Sequence, residues 1–159
     1  MKQTVYIETT VVSYLTARPS SDPAIAEHQR LTRALWPRLL SDYDTYVSVL
    51  VLQEAGRGNP EQAQQRLEAI HPMIPLDATD EVLALAAQII AGGGIPAEYP
   101  EDAGHVAVAA VNGIEVILTW NFAHLNNPFT RMRIRKIVEE AGYACPEICS
   151  PEELLEEDR

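Results

Sequence analysis

EVILTWNF, residues 115–122, decides the fold class. EVILT places Val116, Ile117 and Leu118 in succession with no polar residue between them. A strand with one solvated face alternates apolar and polar side chains. A continuous apolar strand is the kind buried on both faces of a parallel sheet. Working outward, TVYIET (residues 4–9) alternates Val5 and Ile7 with polar or amphipathic neighbours and predicts a first strand. TYVSVLVLQEAGRG (45–58) predicts a short strand running directly into a helix that Gly56 and Gly58 stop.

The segments between these strands carry helix signals. A short helix is expected from Val11 to Ala17. Asp22-Pro23 and Asn59-Pro60 each read as an N-cap followed by proline at the first helical position. The first opens a helix with Ile25, His28, Thr32, Leu35 and Leu39 near one face, which Pro37 should kink or end early. The second opens a helix whose inner face is Ala63, Leu67 and Ile70. Val82, Leu85, Ala86 and Ile89 mark a helix from about Thr79 to Ala91, ended by the glycines at 92–94. A loop, IPAEYPE, precedes a small-residue helix from Asp102 to Val111, and a last helix from about Arg131 to Ala141 buries Ile134, Ile137, Val138 and Ala141. Alternating strands and helices predict an α/β fold, a mainly parallel central sheet flanked by helices. Repeats and linkers are absent, so residues 1–159 are expected to form a single domain with an acidic tail from about 150 to 159.

Composition narrows the function classes. The chain is 47% apolar and 22% charged, ordinary for a globular protein. No apolar run approaches the roughly 20 residues of a membrane helix, and MKQTVYIETTVV lacks the long apolar region of a signal peptide, so a cytoplasmic location is the expectation. Cys145 and Cys149 form a lone C-x₃-C, too few ligands for a zinc site, and read as reduced thiols beside a terminal strand. The net charge is −11. From Glu147 onward six acids face Arg159, a contribution of −5 that leaves −6 for the remainder. Nucleic-acid affinity comes mainly from Lys and Arg, so action on RNA would need a local basic patch and bound metal.

Four polar residues fall where an open α/β sheet puts its active site, beyond the carboxyl ends of the strands. Glu8 ends the first strand and Asn121 follows EVILT. Glu54 lies on the helix after the YVS strand, and Asp102 starts a helix. Each has a plainer reading alone: Glu8 as a solvated strand end, Glu54 as an exposed helix carboxylate, Asp102 as an N-cap or first-turn acid, Asn121 as a turn residue. Together, convergent carboxylates repel unless a cation joins them. Mg²⁺ prefers oxygen ligands and supports phosphodiester hydrolysis.

The arrangement resembles PIN domains. YIETTVVSYL is similar to their opening strand and helix, SVLVLQEAGRG to the helix bearing a Glu, EDAGHVAVAA to an Asp followed by alanines and aliphatics, and ILTWNF to the fourth motif. PIN domains of this size are usually metal-dependent ribonucleases, many of them toxins of the bacterial VapBC toxin–antitoxin type. The resemblance implies Glu8 and Asp102 as principal ligands of Mg²⁺ or Mn²⁺, with Glu54 completing the acidic cluster or orienting a metal-bound water, and Asn121 coordinating weakly or through water. Thr10 and Thr119 would support the site by hydrogen bonds. It implies an endoribonuclease leaving a 5′-phosphate and a 3′-hydroxyl, an RNA substrate, a homodimer, and an antitoxin partner. Two departures stand out: Glu8 replaces the more usual Asp, and Asn121 carries no charge.

Those departures motivate a rival, a catalytically impaired PIN-like module that binds RNA or a protein. A nucleotide-binding domain is disfavoured because no glycine-rich phosphate loop follows the first strand, and the triple glycine lacks a following Lys-Ser/Thr. Arg131, Arg133, Arg135 and Lys136 read equally as a track for an RNA backbone or as a solvated face with Arg135–Glu139 and Lys136–Glu140 pairs. His105 reads as a packing or capping residue before a substrate contact. His124 is left open, and Trp36 and Trp120 read as packing residues.

Overall fold

The computed structural model describes residues 1–156. Among them the order is β1 (Thr4–Ile7), α1 (Thr9–Thr16), α2 (Pro23–Asp42), β2 (Asp44–Ser48), α3 (Val49–Ala55), α4 (Pro60–Ile70), β3 (Ile74–Leu76), α5 (Asp80–Ala91), α6 (Pro100–Val111), β4 (Val116–Leu118), α7 (Pro128–Glu140), β5 (Glu147–Cys149) and α8 (Pro151–Glu156). The strands form one parallel sheet in the order β3-β2-β1-β4-β5. As the apolar runs predict, the central strands are covered: Val5, Tyr6, Ile7, Ile117 and Leu118 are fully buried.

Strand order reverses between β1 and β4, which pair with Val5 opposite Val116 and Ile7 opposite Leu118. In open parallel sheets the crevice at such a reversal, outside the carboxyl ends, is where ligands bind. Glu8 and Thr119 are the first residues past these two strand ends, and the Glu8 amide donates to the Leu118 carbonyl at 3.1 Å.

Several expectations change in detail. Pro37 does not end α2, which continues to Asp42 and buries Leu39 one residue beyond the next arginine. The apolar contact of that last turn outweighs the missing backbone bond. Leu67 is exposed on α4, where Ala63 and Ile70 alone supply the buried face. The helix carrying Asp102 starts at Pro100, so Asp102 is a first-turn acid, and the cap position belongs to Tyr99. The last long helix likewise starts earlier, at Pro128 behind an Asn127 cap. The acidic tail is not all solvated: residues 151–156 form α8, which buries Pro151 and Leu154 and packs on α2. The remainder of the tail lies outside the described residues.

Two features set the distances around the crevice. α6 is made of small residues and is buried along most of its length, which lets it lie close to α3. A Cβ on Gly104 would fall 2.6 Å from Leu50 Cδ1. Trp120 pins the turn after β4: its indole donates to Thr32 Oγ1 at 2.8 Å, and the ring stacks on His28 at 4.0 Å. It is a packing residue, as the sequence suggests.

Candidate functional site

Glu8 occupies the N-cap position of α1, makes no capping bond and is 2% exposed. Its carboxylate instead accepts two hydroxyls at Oε1, Thr10 Oγ1 at 2.5 Å and Thr119 Oγ1 at 2.6 Å. Each hydroxyl is aimed by the backbone. The amide of Trp120 donates to Thr10 Oγ1, and that of Asn121 donates to Thr119 Oγ1, both at 2.9 Å. A hydroxyl has a single proton, so occupying its acceptor side directs that proton to Glu8.

Glu54, on the last turn of α3, accepts from Thr9 Oγ1 at 2.9 Å and from His105 Nε2 at 2.6 Å. His105 is fully buried, and its Nδ1 lies 2.7 Å from Tyr6 Oη, which lies 2.8 Å from Ser48 Oγ. Ser48 caps α3 by accepting from the amides of Leu50 and Val51. The chain of bonds thus runs from the start of α3 through β1 and α6 back to α3. Through His105 it holds Glu54 Oε1, the same oxygen that accepts from Thr9.

Asp102 contacts His124 at 3.1 Å between Oδ2 and Nδ1, and Tyr99 stacks on the His124 ring at 3.8 Å. Asn121 Oδ1 accepts the His124 amide at 3.0 Å, closing the turn that carries both.

Electrostatics tie the three acids to one imidazole. Burial works to lower the His105 pKa, but the Glu54 hydrogen bond and the charges of Glu8, Glu54 and Asp102 raise it overall. Burial works to raise Glu54, and the bond and charge of His105, with Thr9 and Arg57, bring it below its ordinary value. For Asp102 burial prevails and the carboxyl is raised, although His105, His124 and Asn121 oppose it. Burial also raises the Tyr6 phenol, which therefore stays protonated.

All four acidic or amide residues read from the sequence, with Thr10 and Thr119, therefore lie at one crevice. Among the described residues, however, no three His, Cys, Asp or Glu side chains stand grouped as around a metal ion. Each carboxylate is turned to its own partners. The donor set fits a hard divalent cation by chemistry: three carboxylates, all of them sharing His105 as an electrostatic neighbour, with hydroxyl and amide oxygens beside them. Sequence reasoning missed Thr9, Tyr6 and Ser48, and took His105 as packing or capping where it is a buried hydrogen-bonding residue. Its place three residues after Asp102, one helical turn on, was the available signal.

Elsewhere, among the described residues, Cys145 and Cys149 are not joined in a disulfide, and burial pushes Cys145 up to about 11. A cavity of about 540 Å³ opens beside Gln3, Glu115 and Glu147, at the amino ends of the strands and away from the three acids. No helix of the described residues is long and apolar enough to cross a membrane.

No protein-family model and no curated protein sequence matches the chain. Solved structures do. One is VapBC2 from Rickettsia felis bound to a DNA fragment from its promoter, at 13% identity over 93% of this chain and 98% of that one, TM-score 0.61. Another is VapBC-1 from nontypeable Haemophilus influenzae, at 14% identity over 94% of this chain and 99% of that one, TM-score 0.59. Over nearly its whole length, the chain shares a PIN-like α/β fold with chains of VapBC complexes.

Proposed function

We propose that this protein is a metal-dependent endoribonuclease and the toxin of a toxin–antitoxin pair. The observation that carries the reading is that Glu8, Glu54 and Asp102 lie near enough to one crevice, at the strand-order reversal, for all three charges to act on the buried His105. The likeness to chains of VapBC complexes supports an antitoxin partner for this chain. Mg²⁺ or Mn²⁺ would be held by Glu8, Asp102 and Glu54, and when bound would supply Lewis acidity and an activated water for phosphodiester hydrolysis.

The protein's own residues then have distinct parts. Thr10 and Thr119 orient Glu8, while Thr9 and His105 orient Glu54. The raised Asp102 carboxyl needs an adjacent cation to stay ionised at low pH. Asn121 holds the turn that brings His124 against Asp102.

Cleavage of an RNA substrate should require added Mg²⁺ or Mn²⁺ and stop in EDTA. Asp102→Ala should reduce it by at least a hundredfold while circular dichroism shows an unchanged fold. Undiminished cleavage in chelator would overturn the reading. One observation favours the rival, a PIN-like module without activity: every carboxylate already has an internal partner. Calorimetric titration with Mn²⁺ separates the two, because that module has no need to bind metal at Glu8 and Asp102.

A further inference from the structure

The four cations of α7 do not share one surroundings. Arg135 is engaged by Glu147 at 2.8 Å and Glu139 at 3.6 Å. Arg131 donates to Asn126 Oδ1 at 2.5 Å. Arg133 is exposed, reaches Thr130 Oγ1 at 3.3 Å, and among the described residues has no carboxylate at ion-pairing distance. Arg133 also lines a cleft of about 260 Å³ with Gly93, Gly94, Pro96, His124 and Thr130.

This cleft borders the acidic crevice through a shared residue, since His124 forms its wall and contacts Asp102 at 3.1 Å. Tyr99, itself exposed, stacks on that imidazole and holds its plane. The glycine loop forms another wall. A Cβ at Gly94 would lie 3.0 Å from Ile137 Cδ1 and 3.1 Å from Ile89 Cγ2, so the loop sits tight between α5 and α7 and offers backbone to the cleft.

We infer that this cleft is a subsite for one unpaired nucleotide next to the scissile bond, with Arg133 taking its phosphate and the His124 ring lying against its base. The inference rests on the ribonuclease reading. A guanidinium without a carboxylate partner is free to bind a phosphate in bidentate fashion. An aromatic plane beside it suits a base, whichever base that is. The volume falls below the roughly 300–1,000 Å³ of pockets for larger ligands, which leaves room for one nucleotide at most, and a base still paired in a duplex cannot turn into it. In a chain of net charge −11, an exposed cation without a carboxylate partner, lining a cleft that shares His124 with the acids, has more effect on where a strand lies than the paired Arg135 can have.

The test measures anisotropy of a labelled single-stranded oligoribonucleotide in Ca²⁺, and cleavage kinetics in Mn²⁺, for wild type, Arg133→Ala, Arg133→Lys and Arg135→Ala. Arg133→Ala should weaken binding about tenfold and reduce the salt slope by about one, as loss of a phosphate contact does. It should raise KM with little change in kcat. Arg133→Lys should recover part of the loss, Arg135→Ala should match wild type, and a duplex of the same sequence should not compete. Equal effects at Arg133 and Arg135, or competition by duplex, would overturn the subsite. Cleavage indifferent to Arg133 removes the subsite and leaves the ribonuclease. Arg133-dependent binding with no cleavage in Mn²⁺ does the reverse, and a wild type that neither binds nor cleaves removes both.

Discussion

Glu8 is the residue on which the site's geometry turns. Its carboxylate is held between Thr10 and Thr119, whose own oxygens are fixed by backbone amides. Glu8→Asp would draw the carboxylate back by about 1.5 Å, one carbon–carbon bond, out of reach of at least one hydroxyl. A misplacement near 1 Å costs on the order of a hundredfold in rate. Cleavage by Glu8→Asp should therefore fall by about that factor, although the change moves the sequence towards the usual PIN form. Activity equal to wild type would show that the threonines do not set the carboxylate's position. Asn121→Asp acts in the opposite sense on metal. It adds a charge beside Asp102, whose carboxyl burial already raises, so melting temperature in EDTA should drop while Mn²⁺ affinity by calorimetry rises. Glu8, Glu54, Asp102 and Asn121 were legible as neighbours because each lies at or near the end of an element whose pattern is clear. Thr9, Tyr6 and Ser48 were not. Their parts depend on which strands become neighbours, and nothing local in YIETT or YVSVL carries that.

At the scale of elements, the segments with strong patterns were read correctly, the three-residue β4 among them, while the edge strand β3 was missed and β5 was anticipated only as a terminal strand beside the cysteines. β3 has three residues at the sheet edge, with Ile74 exposed and Pro75 inside it. An edge strand tolerates proline and needs no apolar alternation, so its sequence signal is absent. β5, on the opposite edge, is equally short, with Glu147 exposed. α2 gives the reverse lesson, a strong local signal overridden by packing. Pro37 is exposed within it, while Leu35 and Leu39 on either side are fully buried. The proline removes an amide donor and crowds the preceding turn, at a cost of up to about 3 kcal/mol relative to alanine. Because its side chain faces solvent, Pro37→Ala forfeits little packing. It should raise the melting temperature by several degrees, at about 2–4 °C per kcal/mol for a chain of this size. An unchanged or lower value would mean that the proline's rigidity stabilises α2 through the unfolded chain.

For the whole molecule, a buried imidazole bonded to Glu54 and within the fields of Glu8 and Asp102 couples stability to pH. The raised His105 contributes stability that is complete below its ordinary 6.5 and lost as pH climbs through its folded pKa. The lowered Glu54 contributes with the other sign, complete above its ordinary 4.5 and lost as pH falls through its folded value. Asp102, raised by burial, loses its contribution as pH climbs through its folded pKa, which starts from an ordinary 3.8. In EDTA the melting temperature should therefore decline above neutrality and decline again in acid as Glu54 is protonated. His105→Gln keeps an amide able to donate to Glu54 but cannot titrate, so the alkaline decline should flatten. If Mn²⁺ binds as proposed, it should reverse the trend. A cation bound among Glu8, Glu54 and Asp102 repels the proton on His105, so by linkage the metal's stabilisation should grow as pH rises. Melting curves from pH 5 to 9, in EDTA and in Mn²⁺, measure both limbs. A metal-induced shift independent of pH in wild type would place the bound ion away from His105 and separate it from the three carboxylates. Because His105→Gln has no proton to lose, its Mn²⁺ shift should be nearly constant above pH 6, and the difference between the two proteins isolates the imidazole.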